Sequence, residues 1–553
     1  MTHYAIGLDF GTNSARCLVV RLDGGEPVAH EVFPYPSGVD GVLLDDREPE
    51  LARQHPKDYL EALRYLLTQV VSQACARDEE FSSERVVGIG VDATASTPMP
   101  LDEAWNPLAL KEEFSGEMSA MAWLWKDHTS HAEAGEITEK ARSERPVYLS
   151  KCGGSYSSEW FWAKLLRCAR NSPHVFNSAY TWMELCDWIP LVLTGRKKPV
   201  RGICSAAHKA LYHPDWNGYP DEEFLMGLDP GLVRVRRTLP KQAWSVAHSA
   251  GGVSREWAEM TGLREGTPIA VGAIDAHIGA VGAGVREGTL VKILGTSTCD
   301  MAVSPLSHPL PDIPGIAGIA PESILPGYYG LEAGQSAVGD LFYWFTERMS
   351  GGTHQELMEQ ATRLKPGQTG LLALDWNNGN RNVLTDSRLT GLLVGQTLST
   401  RPFEVYRALI EATAFGALII LRRLEEYGVA IEEVVNCGGI AEKNPLLLQI
   451  YADVTGKVMK VSKSQETCAL GAAMCGAVVG GAFSSFDEAR ENLTGVRDVA
   501  YRPIAENQRV YTRLYELYKT LHDAFGTSDT KHDLYPVMKE LLRIRDEVRT
   551  GLL

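Results

Sequence analysis

At 553 residues the chain is too long for one hydrophobic core, so two large domains are expected, with room for an added helical segment. Its 44% apolar and 22% charged residues are ordinary for a globular protein. A formal charge of −16 argues against nucleic acid as a partner, since an acidic surface repels phosphate backbones. Any nucleotide site must therefore bring its own donors and a metal. Ten scattered cysteines form no C-x-x-C pair and read as buried, reduced thiols, which points to a reducing cytosol. Residues 1–7 lack the charged and apolar regions of a signal peptide. Residues 469–483 are too few and too rich in glycine to cross a bilayer, which takes roughly 20 apolar residues, so no membrane partner is expected.

The chain opens on a strand-like run at 4–9, followed by a polar turn at 10–14 and a second alternating run at 15–21. Another turn at 23–25 precedes 28–33, which predicts strand, polar turn, strand and a further hairpin. Apolar residues at Tyr59, Leu63, Leu66, Leu67 and Val70 predict a helix over 56–76, and 86–92 reads as a buried strand ending in an aspartate. The second half repeats the plan. Residues 268–275 are again an apolar strand ending in an aspartate. Residues 290–294, the polar turn 295–298 and 299–303 echo the first hairpin. A helix over 402–425 feeds a strand at 433–437 that ends in Gly438 and Gly439. Two copies of one β/α plan imply an internal duplication. The domains are set at 1–264 and 265–500, with a charged helical extension over 501–553 packed on the second.

Three segments carry groups suited to a nucleotide. In the first turn Gly11 lets a ligand approach the backbone, Thr12, Asn13 and Ser14 supply hydroxyl, amide and N–H donors, and Arg16 adds charge. Asp9, at the preceding strand end, can hold Mg²⁺ through water. These groups sit on a hairpin, and no G-x-x-x-x-G-K-[ST] loop occurs anywhere. An ordinary solvated turn is the alternative. The second turn, with Gly295 and Thr296, favours the phosphate role: two donor-rich hairpins in duplicated halves can grip one triphosphate across a cleft. In the third segment, CGGIAEKN at 437–444, Gly438 and Gly439 leave room for a base or ribose. Asn444 there either contacts the nucleotide or only caps the next helix.

These three elements, in this order, resemble the actin/hexokinase/Hsp70 nucleotide fold. With Asp275 ahead of the second turn, the spacing resembles the FGGY carbohydrate kinases over nearly the whole chain. The resemblance implies an α/β fold class: two duplicated actin-like (ribonuclease H-like) domains with an interdomain cleft, using ATP and Mg²⁺. Within that family, GIGVDATASTP (88–98), LWKDHT (124–129), SSEWFWAK (157–164), WMELCDW (182–188), CSAAHK (204–209) and GLEAGQS (330–336) resemble the ribulokinase branch in wording and order. Glu411-Ala412-Thr413 departs from the Glu-Gly of many relatives, which bears on helix packing more than on chemistry.

Phosphoryl transfer asks for positioning, charge neutralisation and a base. Asp275, at a strand end near the second turn, is the candidate base, and the resemblance puts the catalytic aspartate there too. Capping a helix from Ala276 is compatible with that role. Asp275 also joins Asp9 as a candidate ligand of Mg²⁺ held through water. Sugar contacts are expected from Ala95 and Ser96, Lys209, Glu332 and Asp127. The plainer readings are a solvated lysine, a structural ion pair at Glu332 and a local Lys126–Asp127 pair. Trp123, Trp125, Trp160, Trp162, Trp182 and Trp188 are taken as core. His128 and His131 have no third ligand nearby and are not read as a zinc site. The implied reaction moves the γ-phosphoryl of ATP to L-ribulose in arabinose catabolism, in a cytoplasmic protein, with a homodimer left open. The rivals are a kinase of another pentulose or pentitol, a phosphohydrolase on the same fold, and a non-catalytic sensor.

Overall fold

The computed structural model describes residues 2–196, 198–528 and 531–552. In the first half, β1 (Tyr4–Phe10), β2 (Ser14–Arg21) and β3 (Pro27–Pro34) form an antiparallel meander. Helix α1 (Pro56–Arg77) crosses over, and β4 (Val86–Ala93) returns parallel to β1. The apolar stripe of α1 is buried, His55 caps the helix and Pro56 occupies its first turn, where a missing N–H does no harm. Helices α2 (Phe161–Asn171) and α3 (Ile203–Lys209) follow, then β5 (Ser249–Gly252), β6 (Pro268–Ala270) and β7 (Ala273–Ile274). The seven-stranded sheet runs β5-β6-β4-β1-β2-β3, with β7 also on β4.

The boundary set at 264/265 falls inside this sheet. Ile269 pairs with Ile89 and Ala273 with Asp92, both in parallel, so this segment closes the first lobe instead of opening the second. The physical reason is its composition: Ile269, Ala270, Val271, Ala273 and Ile274 are all buried and need cover on both faces.

Helix α4 (Asp275–Gly282) leads into β8 (Gly288–Leu294), β9 (Thr298–Pro305), β10 (Ile319–Pro321) and β11 (Tyr328–Ala333). Then come α5 (Gly339–Trp344), α6 (Pro402–Glu426), β12 (Ile431–Cys437), α7 (Pro445–Thr455) and β13 (Val458–Ser462). Helix α8 (Thr467–Val479), β14 (Val496–Tyr501), α9 (Ala505–Gly526) and α10 (Val537–Thr550) complete the chain. The second seven-stranded sheet runs β10-β11-β9-β8-β12-β13-β14. The duplication is explicit in the pairings: β8 is antiparallel to β9, β9 to β11, and β8 is parallel to β12, as β1, β2, β3 and β4 are. Helices α9 and α10 bury Val510, Tyr511, Leu514, Tyr518, Leu541 and Ile544 in the core of the second lobe.

Between the lobes, α4 and α8 cross. Helix α8 has no polar face because β1, β4 and α4 all pack on it. Backbone meets backbone at this crossing: a Cβ added at Gly471 would lie 2.0 Å from the carbonyl oxygen of Ile278. The same two helices position the site, since α4 begins with Asp275 and α8 starts beside Arg16.

Candidate active site

Three strands of the first lobe end together. Asp9 on β1 and Asp92 on β4 are register partners, Ala273 of β7 pairs with Asp92 from the other side, and Asp275 opens α4 just beyond. Asp92 is fully buried and neither of its carboxylate oxygens has a hydrogen-bond partner. Burial, then the charges of Asp9 and Asp275, push it well above the usual carboxylate range. Asp9 is held by Arg16 at 3.2 Å, and Arg16 reaches Glu466 at 3.7 Å. Burial and the charge of Asp9 raise Asp275 to about 7, against the Ala276 N–H that donates to it at 2.7 Å.

Ligand atoms of Asp9, Asp92 and Cys468 lie within 4.8 Å of one another. Two buried carboxylates, one with both oxygens unmatched, suit a hard divalent cation. Asp275 falls outside this group, and Asp92, which the sequence reading did not name as a ligand, stands in it beside Asp9. The sequence marks Asp92 as a strand end. Its pairing with Asp9 needs the register of β1 on β4, which no local pattern carries.

The first hairpin is closed by Gly11, whose N–H donates to Ser14 O at 3.0 Å. Trp125 Nε1 donates to Thr12 Oγ1 at 3.0 Å, Gln54 to the Thr12 carbonyl at 2.7 Å, and Asn13 Nδ2 to the Asp40 carbonyl at 2.7 Å. Thr12 keeps its own hydroxyl proton for a ligand. The second hairpin is seated on the start of α5: Gly339 N–H donates to Gly295 O at 3.1 Å, and the N–H groups of Val338 and Asp340 donate to Thr296 O at 3.0 and 3.2 Å. Lys126, next to Trp125, is near enough to Asp340 that its charge opposes the burial raising that carboxyl. Trp125 thus ties to the first hairpin, and the charge of its neighbour Lys126 is felt at Asp340, whose N–H holds the second.

At the third segment Gly438 takes φ 93°, and a Cβ there would meet the Leu294 carbonyl oxygen at 2.5 Å. Gly439 has open space instead, with nothing within 4 Å of its added Cβ. Asn444 caps α7, accepting from Leu447 N–H at 3.0 Å.

On the sugar side, Lys209 at the end of α3 donates to both oxygens of Glu332 on β11, at 2.9 and 3.0 Å. This pair joins the first lobe to the second. His208 Nδ1 and His277 Nε2 lie 3.4 and 3.5 Å from Glu332 Oε2. Against burial, which raises it, the charge and hydrogen bonds of Lys209 help hold Glu332 at about 2, while burial lowers His208 and drops His277 to about 4. The site therefore presents an ionised glutamate, an ammonium and neutral imidazoles. His208, His277 and Glu332 are close enough for metal ligands. Lys209 already neutralises both glutamate oxygens, so the cluster suits a polar neutral ligand better than a cation.

Two expected sugar contacts are corrected. Ser96 is fully buried, its hydroxyl donates to Glu184 at 2.5 Å and its carbonyl accepts from Lys164 at 2.7 Å, which leaves only Ala95 partly open. Asp127 is also fully buried; it is ion-paired with Arg53 and accepts from the Ala52 N–H at 2.8 Å and from Thr129. A charged carboxylate that deep needs partners, and Arg53, Ala52 and Thr129 take the place expected of the sugar and of Lys126. Trp123, Trp162, Trp182 and Trp188 are core, as expected, but Trp125 serves the first hairpin. All ten cysteines are free thiols. Among the described residues no helix is long and apolar enough to cross a membrane.

Two family descriptions match this chain: the N-terminal domain of the FGGY family of carbohydrate kinases over residues 4–282, and its C-terminal domain over 290–479. The chain is 40% identical over 573 aligned positions to a ribulokinase of Shouchella clausii (strain KSM-K16), covering 100% of this chain and 99% of that one. It is 37% identical to a ribulokinase of Vibrio parahaemolyticus, covering 94% and 95%. Among solved structures, xylulose kinase from Rhodospirillum rubrum superposes with a TM-score of 0.78 at 22% identity, over 94% of this chain and 99% of that one. Plasmodium falciparum glycerol kinase with ADP gives 0.77 at 18% identity, over 94% and 98%.

Proposed function

Since the chain belongs to the FGGY family of carbohydrate kinases, we propose that it transfers the γ-phosphoryl group of ATP to L-ribulose, giving L-ribulose 5-phosphate and ADP. The observation that carries the choice of sugar is the 40% identity to a ribulokinase over the whole chain. The site supports the chemistry. A ketopentose lying against Lys209 and Glu332 brings a primary hydroxyl to Asp275, which orients it and accepts its proton late in transfer. Thr12 and Thr296 hold the phosphates from opposite hairpins, with the charge of Lys126 between them. The open face of Gly439 receives the ribose or base.

Asp9 and Asp92 are the residues that would hold Mg²⁺, through water, and the ion when bound would neutralise phosphate charge. Closure of the lobes about the α4–α8 crossing excludes water, which otherwise competes with the sugar as acceptor. Free thiols throughout fit a cytoplasmic location.

The test is ADP release with ketopentoses, pentitols and glycerol offered one at a time. L-Ribulose should give the highest kcat/KM. A higher value for another pentulose or a pentitol moves the assignment within the family. ADP release indifferent to sugar marks a phosphohydrolase, and none with any sugar marks a sensor.

A further inference from the structure

In the second lobe, the loop between the short strands Leu372–Leu374 and Leu392–Val394 is pinned where it meets the cleft. Asn382 is 4% exposed; its Nδ2 donates to the Gly315 carbonyl at 2.7 Å and its Oδ1 accepts from Gly334 N–H at 2.9 Å. Gly334 directly follows the strand that carries Glu332. Asn380 and Asp386 exchange backbone hydrogen bonds of 2.8 and 2.9 Å across the same loop. Arg381 is thus fixed between two anchors, next to the sugar side of the site.

Its guanidinium has no hydrogen bond to any described residue. Its ion-pair partner is Glu159 of the first lobe, 3.7 Å away, beyond hydrogen-bonding distance. The Glu159 carboxylate meets nothing closer, its other neighbour being His128 Nε2 at 3.7 Å. Apart from burial, the charges of Glu159 and Glu332 are among those acting on Arg381, which places it in the space shared with the Lys209–Glu332 pair. The Arg381 side chain is 29% exposed, so water can reach its five N–H donors, and a ligand that displaces that water must replace those bonds. A phosphate is a poor match, because the Glu159 carboxylate lies 3.7 Å away and the charge of Glu332 also reaches the guanidinium. A polyol fits: each hydroxyl can accept from Arg381 while donating to Glu159 or Glu332.

We propose that Arg381 and Glu159 close the sugar pocket from its second-lobe side, gripping ketose hydroxyls between them, and that this grip determines which sugar is accepted. The inference rests on the sugar-kinase reading above. It adds to the pocket a residue pair in which Arg381 lies outside every quoted sequence pattern and which forms only when the two lobes meet.

The experiment uses the full chain. Wild type, Arg381→Met and Glu159→Gln are assayed for ADP release with L-ribulose and with its mono-deoxy analogues, and nucleotide affinity is measured by titration without sugar. Arg381→Met should raise the KM for L-ribulose about 20-fold and Glu159→Gln about 5-fold, with nucleotide affinity held within about twofold. At least one mono-deoxy analogue that wild type uses poorly should lose that disadvantage in Arg381→Met, because the hydroxyl it lacks no longer has a partner to miss. A purely structural role for the pair moves no such ratio. Unchanged KM, a parallel loss of nucleotide affinity, or undiminished discrimination between L-ribulose and every analogue overturns the proposal. If wild type itself shows no sugar-dependent ADP release, the kinase reading fails. If wild type turns over L-ribulose and the variants match it, only the grip fails.

Discussion

The two lobes repeat one strand plan and fill it with opposite chemistry. The register pair two places before the turn glycine is Asp9–Asp92 in the first lobe and Ile293–Cys437 in the second. The first lobe leaves a buried carboxylate without a partner there. The second lobe keeps its charge one step back and neutralises it on the spot: Lys292 donates to Asp300 at 2.6 and 2.8 Å and to Gln335 at 3.3 Å. Gln335 passes the network to Asp375 at 2.7 Å and to the Thr413 carbonyl of α6 at 2.8 Å, and Tyr518 of α9 donates to Asp375 at 3.1 Å. Paired charge in one lobe ties sheet to helices. Unpaired charge in the other is a poor way to stabilise a fold and a good way to hold a cation or move a proton. Duplication supplied the frame, and the division of labour lies in which strand ends stay acidic.

That contrast can be broken most severely at Asp275. Asp275→Asn should lower kcat by about 10³-fold while calorimetry still detects sugar binding, since the amide keeps the shape and loses the base. Next in size is a matched pair of neutralisations. Asp300→Asn strands Lys292 in the second core and should cost about 3 kcal/mol in denaturant unfolding. Asp92→Asn removes a carboxyl whose ionisation the fold opposes, so stability should hold or rise slightly while the Mg²⁺ concentration needed for half-maximal rate climbs about tenfold. Should both variants lose stability alike, the two lobes do not differ as described.

A smaller effect is expected from pH. The base must be ionised to accept a proton, and Asp275 is raised to about 7, so kcat/KM for sugar should fall as pH drops through that region and level off above it. A limb centred near the ordinary carboxylate range would point to a different group.

How much of this the sequence carries depends on the distance between partners. The meander of β1 to β3, the helix α1 and the two donor-rich turns are local patterns, and residues 4–33, 56–76 and 290–303 spell them without help. So does the glycine pair after β12, whereas the strand read over 268–275 is broken after Ala270 and Asp275 opens α4 instead of ending a strand. What fails locally is everything decided by a remote partner. Ser96 looks like a pocket hydroxyl until Glu184, 88 residues on, takes it. Asp127 looks like a loop acid until Arg53 is found inside the same core. The first sheet recruits residues past 264 because β4 has an uncovered edge, a fact of topology absent from the spacing. Glu411 is legible only as a packing position; its burial against Arg407 and Tyr511 ties α6 to α9.

The central claim is that opposed hairpins of two unlike lobes hold one nucleotide while the acid that opens α4 addresses a sugar. It is tested most directly by a crystal structure of the Asp275→Asn protein with an ATP analogue, Mg²⁺ and L-ribulose. The expected result has the triphosphate between Thr12 and Thr296, the metal beside Asp9 and Asp92, and a primary hydroxyl of the ketose at residue 275. Phosphates bound away from both turns, or a sugar that never meets residue 275, would contradict it.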